Sequence, residues 1–314
     1  MKKPAPLTVQ VVLCETNPHF RGAIQTALRR EGWCHLEICP DFDALRNHLD
    51  RHIVDLMLCS DDVPGMVFPH FIQDIRHRRI GRNPFSQVMA LTGSAEPIPL
   101  RRLRKSGADR VAPKPISTGT VLGGVDRMAR ARTRYVASDD YVGPERRGAM
   151  RSSLAGQGLI EVPNIARLKL QQPALALRAE RIILLGVSEV ERKTLENSIE
   201  AIGRAEGIYR RCSWQRTDVA EDRLDLLHGM SINFASRYRN TAYHHCALLA
   251  GCLADVTTLL AADSAASLQQ VMAAHQLLPR LVEALHKSYR DGPAALPLVR
   301  EIVEEVNRLV QNRH

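Results

Sequence analysis

Four short stretches place carboxylates, hydroxyls and one ammonium directly after apolar runs. The clearest is Asp55-Leu-Met-Leu-Cys-Ser-Asp-Asp-Val-Pro-Gly-Met66. Val54 to Cys59 is a short apolar run bounded by polar and turn residues, which fits a central strand of a parallel sheet covered on both faces. Ligand chemistry in such sheets sits just past the carboxyl ends of the strands. Ser60, Asp61 and Asp62 therefore mark the candidate site. Glu15 and Thr16 follow a second apolar run in Glu15-Thr16-Asn17-Pro18, Thr92 closes Ala90-Leu91-Thr92, and Lys114 stands in Pro113-Lys114-Pro115.

These four separated motifs, in this order and spacing, resemble the receiver domain of two-component response regulators over roughly the first 130 residues. The resemblance implies a flavodoxin-like strand order. It also implies a pocket of Glu15, Thr16, Asp61, Thr92 and Lys114 around the phospho-acceptor position, with Pro115 in the cis form that is usual for the family. In the family that acceptor is an aspartate followed by a Met-Pro-Gly-Met-like turn; here it is Ser60. An acidic pair usually follows the first strand, and only Glu15 of it survives, beside Thr16. The aromatic switch position three residues before the lysine is Val111. Thr92 and Lys114 match. Phosphoryl transfer to such a site needs a carboxylate oxygen as nucleophile beside a divalent cation held by oxygen ligands, with a hydroxyl and a lysine to receive the transferred oxygens. Ser60 removes the nucleophile and one cation ligand, and Thr16 removes part of another. The resemblance thus implies a degenerate receiver that is not phosphorylated. Asp61 is the alternative acceptor, although a one-residue shift along a strand turns its side chain to the opposite face.

A second phosphotransfer reading would use His245, in His245-Cys-Ala-Leu-Leu-Ala-Gly251. Histidine phosphotransfer modules carry a Lys-Gly pair three and four residues after the histidine, and here those positions are Leu248 and Leu249. His245 and His275 both fall on apolar seams, so each reads as a hydrogen-bonded interior histidine and not as a metal ligand. The seven cysteines include no CxxC spacing and read as buried small hydrophobes of a reducing compartment. No Gly-rich phosphate loop, GxSxG, HExxH or GGDEF-like run is present. The expectation is a protein that is not an enzyme and has no cofactor and no metal site.

The elements needed to hold these residues can be read in order. Val9–Leu13, His35–Cys39, Val54–Cys59, Gln87–Leu91 and Arg110–Ala112 read as strands, alternating with helices at 21–30, 43–49, 69–79, 100–106 and 118–132. Five such alternations predict an α/β doubly wound parallel sheet in residues 1–132. Residues 133–173 change character. Tyr141-Val-Gly-Pro-Glu-Arg-Arg-Gly148, Ser152, Gly156, Gly158 and Pro163 interrupt every apolar period, and the stretch reads as a linker. Its Tyr-Val-Gly-Pro-Glu-Arg-Arg run is similar to a short motif after receivers in some bacterial regulators. It reads as a tether; the rival is a docking segment with Tyr141 as anchor and Arg146-Arg147 as an anion fork.

Residues 174–314 show helix formers and no strand signal, predicting an all-α bundle. One helix is expected at about 175–202, with Gly186 as its weak point. Leu268, Val271, His275, Leu278, Val282, Leu285 and Tyr289 step by three and four, as do Leu296, Val299, Val303, Val306 and Val310. Two further seams, Leu224 to Tyr238 and His245 to Leu259, slip phase near Arg239-Asn240, as two helices or a stutter in one. Such seams could also zip two subunits into a homodimer.

The net charge of +9 is unevenly shared, with 23 basic against 16 acidic residues in positions 1–150. Ten basic residues lie between Arg101 and Arg134. No apolar run is expected to reach the roughly 18 residues that span a bilayer, and no signal-peptide core starts the chain, so a cytoplasmic protein is expected. The resemblance puts the output surface of a receiver on its fourth helix, fifth strand and fifth helix. Arg101, Arg102, Arg104 and Lys105 are then candidates for binding an acidic protein partner. The expected function is a signalling protein whose receiver-like domain is a protein-interaction module. Two alternatives remain: a nucleic-acid-binding regulator using the same basic face, and a phosphorelay component using Asp61 or His245. No helix-turn-helix pattern supports the first, and at 4% aromatic residues the rings for base stacking are scarce.

Overall fold

The computed structural model describes residues 8–65, 67–138, 141–146, 158–213, 218–261 and 267–311. It divides into two compact units, 1–194 and 195–314.

The first unit is built on a five-stranded parallel sheet in the order β2-β1-β3-β4-β5. The strands are β1 (Val11–Cys14), β2 (Leu36–Ile38), β3 (Leu56–Ser60), β4 (Gln87–Thr92) and β5 (Arg110–Pro113). Between them run α1 (Pro18–Arg30), α2 (Phe42–Arg51), α3 (Phe68–Arg76) and α4 (Pro97–Lys105), and α5 (Thr118–Arg130) follows. This is the doubly wound fold that the alternation predicts, in the flavodoxin-like strand order that the resemblance implies. β1, β3 and β4 are buried along their whole length, which is why they read as continuous apolar runs. α1 and α4 begin three residues earlier than expected because Asn17-Pro18 and Glu96-Pro97 start helices instead of turns. Proline at the first helical position costs no hydrogen bond. The Asn17 side chain caps α1, accepting from His19 N and Phe20 N at 3.0 Å each.

A tether at 133–173 is not what the described residues form. β6 (Tyr135–Ala137) and β7 (Val142–Pro144) make an antiparallel hairpin, and α6 (Ile165–Gln171) packs on α5. Tyr135, Ala137, Val142, Ile160 and Ile165 share a buried cluster with Phe85, Ile183 and Val187. The glycines and prolines that argued for a tether serve close packing. A Cβ on Gly143 would stand 2.9 Å from the Gly107 Cα. Within the Tyr-Val-Gly-Pro-Glu-Arg-Arg run, Val142–Pro144 form a strand of the hairpin. The Tyr141 hydroxyl donates to Pro144 O at 2.7 Å, and Arg147 lies outside the described residues.

After the short α7 (Pro173–Ala176), α8 (Ala179–Cys212) runs 34 residues straight through Gly186. Gly186 is a point of close approach, not of weakness, because a Cβ there would meet Pro163 Cδ at 2.5 Å and Phe85 Cε2 at 2.9 Å. Gly186→Val should destabilise the first unit by about 1–3 kcal/mol through overpacking, whatever it gains in helix propensity. A thermal melt at or above the wild-type midpoint would reject this packing role.

The second unit is helical: the rest of α8, α9 (Asp218–Tyr238), α10 (His244–Ala261), α11 (Leu268–Asp291) and α12 (Leu296–Gln311). The phase slip near Arg239-Asn240 is a turn between two helices. α10 packs against α9, α11 and α12 and is buried on most sides. It is therefore the exception to the expectation that no run suits a bilayer. His244–Ala261 has the length and a mean hydropathy of 1.3, and 61% of it is buried inside the bundle. The seams of α9 and α10 lie in the core as expected. α11 departs from its seam: Leu268 is 77% exposed, while Ala274, Leu277 and Leu281, off the seam, are buried. A helix with neighbours on two sides buries a broader face than a coiled-coil seam does. These apolar faces meet one another within the chain.

Candidate functional site

Strand register brings the sequence motifs together. Cys14 pairs with Cys59, Ser60 with Leu91, and Thr92 with Pro113, so Glu15, Ser60, Thr92 and Lys114 all stand at the carboxyl edge of the sheet. The Lys114-Pro115 bond is cis.

Lys114 organises this edge. Its Nζ lies 2.6 Å from Ser60 Oγ, 2.9 Å from Glu15 Oε2 and 3.6 Å from Asp62 Oδ2. Glu15 and Ser60 are fully buried, whereas the Lys114 side chain is 21% exposed. Glu15 is fixed on its other oxygen by Asn17 N at 2.9 Å, so the turn into α1 holds the carboxylate in place. Its Oε2 meets Lys114 by charge and distance, without an aligned hydrogen bond. Thr16 Oγ1 donates to Asp62 Oδ1 at 3.0 Å. Burial pushes the Asp62 carboxyl up, but hydrogen bonds from Ser60 and Thr16 and the Lys114 charge outweigh it, holding the group below the usual carboxylate range. The Phe20 ring lies 5.9 Å below the ammonium.

Asp62, not Asp61, completes the pocket. Ser60 and Asp62 are two residues apart and share a face, and the intervening Asp61 accepts from Gly93 N at 3.3 Å on the adjoining loop. Thr92 is buried, and its hydroxyl accepts from Ser94 N at 3.1 Å. Val111 is half-buried.

Chemically, the pocket is a buried serine hydroxyl held by an ammonium whose charge is met by two carboxylates. The carboxylates that would serve a hard cation are already engaged by Lys114, and among the described residues no trio of His, Cys, Asp or Glu is grouped to hold a metal ion.

Arg101, Arg102, Arg104 and Lys105 are all exposed along α4. His245 is interior, as expected, and its Nε2 is buried without a hydrogen-bond partner among the described residues. His275 is half-buried, stacked on Tyr209 at 5.9 Å between ring centres, and burial lowers its pKa. All seven cysteines are free. Burial pushes Cys14, Cys39 and Cys252 up to about 12, which suppresses thiolate chemistry.

No family model matches the sequence, and no curated protein matches it. Among solved structures, the receiver domain of sensor histidine kinase PA1611 from Pseudomonas aeruginosa PAO1 is similar at 21% identity, over 39% of this chain and 97% of that one, with a TM-score of 0.34. The orphan response regulator HP1043 of H. pylori is similar at 18% identity over 38% of this chain and 96% of its own, also with a TM-score of 0.34. The Thermotoga maritima response regulator DrrB gives 16% identity and a TM-score of 0.34, and 38% of this chain spans 52% of it. In each case the similar part is the N-terminal one, where the five-stranded parallel sheet lies.

Proposed function

We propose that this protein acts in two-component signal transduction through a receiver-like domain that works without phosphorylation, as a protein-interaction module in the cytoplasm. One observation carries the reading: Lys114 Nζ sits 2.6 Å from Ser60 Oγ and 2.9 Å from Glu15 Oε2. An internal ion pair thus occupies the place where phosphoryl chemistry would need a carboxylate nucleophile and a cation. On this reading the protein is not an enzyme and needs no cofactor, and the helical unit binds a partner or a second copy. The relay alternatives lack support in the geometry, since His245 is buried and Asp61 faces the Gly93 loop.

The domain should take no phosphoryl group from acetyl phosphate with Mg²⁺. Ser60→Asp alone should label feebly at best, because Lys114 and Thr16 still occupy the cation's place. Intact-mass spectrometry reads both outcomes, and a gain of one phosphoryl group in the wild type, lost on Asp61→Ala, would overturn the reading.

The exposed α4 basics support an acidic partner. Reversing Arg101, Arg102, Arg104 and Lys105 to glutamate should abolish that complex, and the wild-type association rate should fall as salt rises. If the face binds nucleic acid instead, log affinity for random duplex falls linearly with log salt, and each lost phosphate contact reduces the slope by about one. A mobility-shift titration at physiological salt separates the two, with retention there favouring nucleic acid.

A further inference from the structure

On the opposite edge of the sheet from Lys114, a cleft of about 480 Å³ opens between the residues leading into β6 and helix α6. Its volume is in the range of small-molecule sites, about 300–1,000 Å³. Val162, Pro163 and Leu168 give it an apolar lining, and Arg132, Arg134 and Arg167 supply three guanidinium groups against one carboxylate, Glu161.

The three arginines differ in role. Arg132 is built in: its side chain is 6% exposed, and it donates to Pro163 O at 2.8 Å, to Phe85 O and to the Tyr135 hydroxyl. Its Nε–H is buried with no acceptor among the described residues, an unmet donor. Arg134 and Arg167 are exposed at the mouth and weakly engaged. Arg134 meets Glu161 only at 3.9 Å, with Glu161 86% exposed, and Arg167 donates to the neutral Gln171 at 3.0 Å. Surface contacts of that kind contribute little and yield readily to a better partner.

We propose that this cleft binds a small molecule carrying a phosphate monoester on an apolar body. Arg132 is already paired with Asp109 at 3.8 Å, and Arg134 and Arg167 against Glu161 leave the mouth net positive, which favours an anionic group such as a phosphate monoester, about −1.5 to −2 at neutral pH. Guanidinium forks from two chain segments can take its oxygens in pairs, which a lone carboxylate would use less fully. The apolar lining then receives the rest of the molecule. Such a ligand would bridge the β6 strand and α6, the two parts of the stretch 133–173 that fold against the sheet. Its lining includes neither Ser60 nor any residue of α4.

Phenyl phosphate is the probe, titrated calorimetrically into the full chain at low salt. Saturable binding is expected, with inorganic phosphate about tenfold weaker for want of an apolar body. Arg134→Ala and Arg167→Ala, both at exposed positions and outside the Arg132 network, should each weaken phenyl phosphate about tenfold. Arg101→Ala/Arg102→Ala on α4 should change nothing. The proposal is overturned by no saturable binding at millimolar probe, by equal affinity in Arg134→Ala/Arg167→Ala, or by loss confined to the α4 variant. A phosphoserine peptide that binds more tightly than phenyl phosphate would make the ligand a protein and equally reject a small molecule.

Discussion

Arg76→Ala should lower the stability of the first unit by about 3–5 kcal/mol, the cost of breaking a buried ion pair. Arg76 is 1% exposed in its side chain, yet it is fully used. Its Nε and one terminal nitrogen reach Gly107 O at 3.1 and 2.9 Å, the other reaches Pro84 O and Ser86 O at 2.6 and 2.7 Å, and the fork closes on Asp109 Oδ2 at 2.8 Å. One guanidinium thus ties α3 to the loops before β4 and β5. Without it, Asp109 keeps only Val88 N at 2.8 Å and Arg132 at 3.8 Å, and three carbonyls lose their donor. The thermal midpoint should drop by roughly 6–20 °C for a unit of this size. Arg76→Lys should not rescue it, because a single ammonium cannot span four acceptors at fork geometry. A loss below about 1 kcal/mol, as for a surface pair, would refute the account.

Lys169→Met should cost a similar amount, and its pH dependence makes the cause visible. Lys169 Nζ lies 2.6 Å from Oδ2 of fully buried Asp55, which also accepts from Gln10 N at 2.7 Å, while Oδ1 has no hydrogen-bond partner among the described residues. Burial raises the Asp55 pKa even with Lys169 and Gln10 N pulling it down. A carboxyl with a raised folded pKa gives stability below its unfolded pKa, about 3.9, and loses it as pH rises through the folded value. Removing the ammonium lifts the folded pKa further. The deficit of Lys169→Met relative to wild type should therefore be largest near pH 8 and shrink as the solution is made more acidic. Adding Asp55→Asn should recover most of it at pH 8, since a neutral amide removes the unpaired buried charge. Urea midpoints across pH for the three proteins test this. A deficit that does not change with pH would assign the loss to packing alone.

Both residues lie in what reads as a linker or a polar flank, and the reason is general. Arg76 closes an ordinary amphipathic helix, and Lys169 follows a stretch broken by glycine and proline. Neither has a local pattern, because its partner is 33 residues away in one case and 114 in the other. Gly143 and Gly186 mislead for the same reason: glycine marks turns and close approaches alike, and the partner settles which it is.

The sequence by itself determined the alternation of strands and helices, the buried central strand and the placing of Ser60 at its carboxyl end, and the resemblance implied the grouping of Glu15, Thr92 and Lys114 there. The first three follow from local periodicity. The sequence also determined two bundle seams, Leu224 to Tyr238 and His245 to Leu259, because a period of 3.6 is visible within one helix. Only the tertiary structure decided that Asp62 and not Asp61 meets Lys114, that the hairpin and α6 belong to the first unit, and that α11 buries a broader face than its seam. Each of those depends on which surfaces meet, and contact across the fold leaves no mark on spacing along the chain.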